Sequence, residues 1–138
     1  MSQANVEVVR SAFAAFQHGD MPAVLATMDP DVEWSDPDQP MPAPGGGGTH
    51  HGLAAVRDVF ASLPETWDGF RADPDDMIDA GERVVVTGRF SGRARGGGEL
   101  DAPFAMVFEL RDGRIVRYRS YADTARVAAA LEGAHATG

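Results

Sequence analysis

The chain has 138 residues, 43% hydrophobic and 24% charged, which is the composition of an ordinary globular protein with enough apolar material for one core. Its net charge of −9 argues against a nucleic-acid partner, whose phosphates demand a basic surface. Cysteine is absent and all twelve basic residues are arginine, so lysine Schiff bases, thiolate nucleophiles, disulfides and cysteine-ligated metals are excluded.

No apolar run approaches the roughly 18 residues that would mark a membrane span. The opening MSQANVEVVR has no signal-peptide h-region. A cytoplasmic, membrane-free protein is the default expectation.

In chain order, Val6, Val9, Phe13 and Phe16 stand at offsets 0, 3, 7 and 10 and predict an amphipathic helix that Gly19 stops. Asp20 before Met-Pro is an N-cap for a short second helix through Met28. Asp29-Pro30-Asp31 reads as a turn, and Val32 to Ser35 as a short strand ending at Asp36. A Pro/Gly-rich stretch follows, then His50 and His51. Leu53, Val56, Phe60 and Leu63 repeat the spacing of the first helix and predict another.

After Leu63 the pattern becomes strand-like. Residues 68–80 form a weak strand that DPDD at 73–76 interrupts, and Arg83 to Arg95 a stronger one around VVVTGRF. Asp101 to Arg111 and Arg114 to Tyr121 are joined by Asp112-Gly113, a hairpin signal. Thr124 to Glu132 is an alanine-rich helix with Asp123 positioned to cap it. Three helices followed by a run of hairpin-linked strands give an α+β class, with helices on one face of a curved antiparallel sheet. The glycine runs at 45–48 and 96–98 are not phosphate loops, because neither continues into G-K-[ST] or joins a strand to a helix as G-x-G-x-x-G.

The segments HGD, DPDVEWSDP, HGLAAVRDVFASL and ELRDGRIVRYRSYAD, in that order over residues 5–132, resemble the SnoaL-like polyketide cyclases. They are also similar to the wider nuclear-transport-factor-2-like superfamily, with its ketosteroid isomerases and limonene epoxide hydrolase. The resemblance implies one cone-shaped domain over residues 1–138: a strongly bent sheet wrapped around three helices, a short C-terminal helix and a deep apolar pocket. It further implies a homodimer through the outer sheet face, no cofactor and no metal. The apolar residues of both parities in Phe104-Ala105-Met106-Val107-Phe108 suit a sheet with one face on a pocket and the other on a partner.

The resemblance points to two carboxylates. Asp36 falls where the isomerases carry their general base, and an apolar pocket raises such a group above its usual range; as a plain residue, Asp before Pro is a turn former. Asp123 falls where the cyclases and the epoxide hydrolase carry an acid or base, while the residues alone make it a helix cap. The isomerase oxyanion donors do not carry over: Ala12 stands at the helix-one tyrosine and Ala105 at the protonated Asp. The hydrolase's Arg-x-Asp is likewise incomplete, with Ser91 two residues after Arg89.

The expected pocket walls are Trp34, His51, Tyr118, Phe16, Phe60 and Ala105, with His51 or Tyr118 as a donor. The adjacent histidines lack metal-site spacing. Tyr118 and Tyr121 have opposite parity, so one face of the last strand, either Arg117/Arg119/Tyr121 or Tyr118/Ser120, lines the pocket. The functional expectation is acid–base chemistry (cyclisation, isomerisation or dehydration) on an apolar ketone-like metabolite. The alternatives are a non-catalytic binding or dimerisation module and an epoxide-opening enzyme.

Overall fold

The computed structural model describes residues 2–36, 48–96 and 98–136. In chain order they form α1 (Ser2–Gln17), α2 (Met21–Ala26), β1 (Met28–Asp36), β2 (Gly48–His51), α3 (Leu53–Thr66), β3 (Trp67–Ala80), β4 (Arg83–Ala94), β5 (Glu99–Arg111), β6 (Arg114–Ala122) and α4 (Thr124–Ala136). Among these residues the strands make one six-stranded sheet in the order β2-β1-β6-β5-β4-β3. This is the expected α+β class, a curved sheet packed on helices. The pairing is antiparallel throughout except between β1 and β6, which run parallel. That exception departs from the expected all-antiparallel sheet.

The amphipathic helices behave as their spacing predicts. Val6, Val9 and Phe13 of α1 and Val56 and Leu63 of α3 are buried, and Phe16, Leu53 and Phe60 pack at the margin of the same cluster. Asp20 caps α2 by accepting from the Ala23 amide at 3.2 Å. The inward residues of β5 alternate without a break, from Leu100 through Ala102, Phe104, Met106 and Phe108 to Leu110. The odd-numbered residues between them face outward, as period two requires.

Two turn-like signals are absorbed into strands. Asp29-Pro30-Asp31 lies within β1, where the Asp29 carboxylate accepts from the Asp31 amide at 2.9 Å and the register with β6 shifts between Met28 and Glu33. DPDD at 73–76 does not break β3; it produces a register shift between Pro74 and Asp76. Proline is tolerated because β3 is an edge strand, where a missing ladder donor costs little. Opposite this bulge stands Gly88, where a Cβ would collide with the Asp73 carbonyl oxygen, Pro74 and the Phe104 ring. Only glycine lets the bulged strand fold so closely over β4, and such bulges bend a sheet. At the β5–β6 hairpin both Asp112 and Gly113 have positive φ, 54° and 76°, the geometry a tight two-residue turn requires.

The fourth glycine of the Pro/Gly stretch and both histidines belong to β2, which pairs with β1 and was expected to be loop. The rest of that stretch, residues 37–47, lies outside the described residues. No described helix is long and apolar enough to cross a membrane.

Candidate functional site

Between α1, α3 and the inner face of the sheet lies a cavity of about 80 Å³, several times the roughly 10–15 Å³ that admits one water. Its described walls include eight aromatic rings, six of them phenylalanines, together with small and aliphatic side chains. Polar groups enter at one place, where β1 and β6 run side by side. The parallel register sets Trp34 beside Tyr118, and their rings stack with centroids 3.5 Å apart and planes 15° from parallel. Two residues on, the same register brings the Asp36 carboxylate beside Ser120.

Both oxygens of Asp36 are held. The Trp34 indole N–H donates to Oδ2 at 2.9 Å and the Ser120 hydroxyl donates to Oδ1 at 2.5 Å. The Tyr118 ring, stacked on Trp34, stands beside them. An indole N–H can only donate, so Oδ2 must accept. A carboxylate has about four lone-pair positions, and two donors leave acceptor capacity for a molecule in the cavity that Asp36 lines. Ser120 is the one buried polar side chain among the described residues, and Tyr118 is 2% exposed.

Electrostatically the site pulls two ways. Burial among apolar walls pushes the Asp36 carboxyl above its ordinary 3.8, while the hydrogen bonds from Ser120 and Trp34, the nearby Tyr118 hydroxyl and the charge of His50 draw it back. Desolvation wins. Burial, then the nearby Asp36 charge, pushes the Tyr118 phenol well above 10, so it stays a neutral hydroxyl.

The expected site residues divide. Asp36, Trp34, Tyr118, Phe16 and Phe60 all line the cavity, and Ala12 lines it too, where a donor was looked for. Ala105 does not: it pairs with Tyr121 and Thr87 on the outer face, and Met106 and Phe108 are the β5 residues that reach the cavity. His51 is exposed opposite Glu33, whereas His50, opposite Trp34, is the histidine whose charge acts on Asp36. One step of strand parity separates them.

Asp123 is not among the residues that line the cavity. Its carboxylate accepts from the Arg126 amide at 3.2 Å and lies 3.3 Å from the Arg126 guanidinium, so it caps α4. The parity question on β6 resolves to Tyr118/Ser120 inward. Arg117 faces outward between Glu33 and Glu109, and Arg119 and Tyr121 share that outer face. Arg89 also points outward, donating to Asp101 at 2.8 Å, so the hydrolase-like arginine and Asp36 lie on opposite sides of the sheet. Ser120 was missed as a partner of Asp36 because the sequence gives each strand's parity but not which strand lies beside which. Among the described residues no group of three or more His, Asp or Glu side chains is arranged to hold a metal ion.

The SnoaL-like domain model matches residues 9–118. A nuclear-transport-factor-2-like protein of unknown function from Burkholderia pseudomallei K96243 is 35% identical, with a TM-score of 0.85 over 93% of this chain and 97% of that one. TerC, co-crystallised with polyporic acid, is 29% identical, with a TM-score of 0.83 over 94% and 98%. A putative SnoaL-like polyketide cyclase from Jannaschia sp. CCS1 shares the fold at 23% identity, with a TM-score of 0.79 over 94% and 92%. No curated protein matches the chain. With four-fifths of its length matched by the family model and its cavity built between helices and a bent sheet, the chain belongs to the SnoaL-like domain family.

Proposed function

We propose that the cavity performs acid–base chemistry on a small apolar ketone-like molecule, with Asp36 as the general base. The observation that carries this reading is a carboxylate that lines an aromatic cavity, held by two donors, with its pKa raised by burial. Such a group can take a proton from the carbon beside a carbonyl, leaving the C–H electron pair in an enolate. The protonated Asp36 then returns the proton. Delivered to another carbon, it completes an isomerisation; delivered to the alkoxide formed when the enolate attacks a second carbonyl carbon, it completes a cyclisation. Dehydration follows when the proton leaves with a β-hydroxyl as water.

Asp123 has no part in this scheme, because its carboxylate is engaged by α4 and Arg126. The co-crystallisation of TerC with polyporic acid supports a small-molecule occupant for the cavity.

A binding module without turnover is the second reading. It is favoured by the fact that, among the described lining residues, the Trp34 indole N–H already donates to Asp36, which leaves the Tyr118 hydroxyl as the single side-chain donor for an enolate oxygen. Deuterium wash-in beside the carbonyl of small cyclic ketones, followed by NMR, separates the two. The catalytic reading expects exchange that Asp36→Asn reduces at least about 100-fold, within the range general-base catalysis supplies. Ketones that bind without exchange would leave the binding module.

For assembly we propose a homodimer through the outer sheet face. Ile78 and Tyr121, the two exposed large hydrophobic residues among those described, both lie there, with Val85 and Val107 in register beside Ile78. Light scattering of Tyr121→Arg and Ile78→Glu is expected to give a monomer where the parent gives a dimer.

A further inference from the structure

The cavity is small for a ligand site, and a larger space lies just outside it. Its volume of about 80 Å³ is roughly half of the 150 Å³ that holds a benzene. Between α1 and β3 lies a groove of about 440 Å³, lined by Arg10 and Gln17 of the helix and by Pro74, Asp75 and Met77 of the strand among others. Among the described residues Phe13 alone borders both spaces.

Helix and strand geometry explain this position. Val9, Phe13 and Phe16 carry the apolar stripe of α1, and Phe13 also stands three residues from Arg10 and four from Gln17. It is therefore at the seam between the inward stripe and the groove-side stripe. On β3 the cavity ends at Ala72 and the groove begins at Pro74, about 7 Å along an extended strand. Phe13 is 8% exposed, and its ring meets Phe108 edge-on with centroids 6.1 Å apart.

We infer that Phe13 is the partition that sets the length of ligand the cavity accepts, limiting it to short-chain ketones with the carbonyl end toward Asp36. This rests on the reading of the cavity as a ketone site and not on Asp36 as a base. Each methylene that gains a buried place strengthens binding about fourfold. One that meets the Phe13 ring gains nothing. Shortening Phe13 joins the cavity to the groove and gives a longer alkyl chain a path out along α1.

The test is an NMR titration of unbranched methyl ketones, from butan-2-one to nonan-2-one, against the parent, Phe13→Ala, Phe13→Leu and Phe60→Leu. The fold of each variant is checked by circular dichroism. In the parent, affinity is expected to level off or fall by hexan-2-one. In Phe13→Ala it should keep rising for about three further carbons, about fourfold for each. Phe13→Leu should move the limit the same way by about two carbons, and it carries the test if the alanine variant does not fold. Phe60→Leu removes the same volume as Phe13→Leu from a wall that does not border the groove, so its limit should stay within about one carbon of the parent's. Four results would overturn the inference: a parent series that rises unbroken to nonan-2-one, a limit unmoved in folded Phe13 variants, an equal shift in Phe60→Leu, or no binding of any ketone. The exchange assay fails separately. A length limit set by Phe13 without exchange sinks only the catalytic reading, and exchange without that limit sinks only this inference.

Discussion

Asp36 and Asp123 occupy comparable places in the chain, each just at or beyond the end of a strand, yet they live in opposite chemical surroundings. Asp36 closes β1 beside β6, inside a ring of aromatic side chains, with donors on both oxygens. Asp123 follows β6 on the way into α4, where a helix amide and an arginine engage it and water reaches more than a third of its side chain. A strand-end carboxylate is therefore not a site in itself. Strand parity and the neighbouring strand decide whether it is desolvated and aimed into a cavity or spent on a helix terminus.

The sharpest break of that comparison is functional. In the deuterium wash-in assay, Asp36→Asn is expected to lower exchange at least about 100-fold, while Asp123→Asn stays within threefold of the parent. Equal losses in both variants would mean that the two carboxylates work together after all.

A second difference appears with pH. The folded-state pKa of Asp36 is raised above 3.8, so the native state holds that proton more tightly than the unfolded chain does. The contribution to stability is fully present below 3.8 and is lost as pH rises through the raised value. Urea titrations across that window should show the parent losing stability relative to Asp36→Asn as pH increases. Exchange activity should run the other way, rising as the base ionises.

Removing one donor sharpens the picture further. Ser120→Ala takes a hydrogen bond from the ionised carboxylate, so the midpoint of the pH–activity curve is expected to move upward with the plateau retained within about tenfold. The stability cost at neutral pH should be about 1.5–3 kcal/mol, typical of a hydrogen bond to a charged group. A midpoint that does not move would reduce Ser120 to a packing residue. The smallest effect belongs to the other carboxylate. Asp123→Ala should cost about 0.5–2 kcal/mol as a lost helix cap, measured by urea unfolding, with no change in the pH–activity profile.

Much of this architecture could be read from the residues. The apolar spacing of α1 and α3, the cap at Asp20, the Asp112-Gly113 hairpin and the alternation of β5 are local properties, set by periods of 3.6 and two and by turn chemistry. The resemblance carried by the ordered segments from HGD to RSYAD supplied the cone and its cavity. Signals that compete with pairing were read less well: Asp29-Pro30-Asp31 looks like a turn and DPDD at 73–76 like a strand interruption, and the sheet absorbs both as register shifts. The expected walls His51 and Ala105 lie one residue from positions of inward parity, because a single step along a strand exchanges inside for outside.

The sequence by itself determined which residues alternate and which carboxylates stand at strand ends. The tertiary structure alone decided that β1 lies parallel to β6. That choice sets Trp34 on Tyr118 and Asp36 on Ser120, and it turns Arg117 and Arg119 away from the cavity. The physical reason is that pairing between distant strands is fixed by the closure of the whole sheet over its core, while parity is fixed by the backbone of each strand alone.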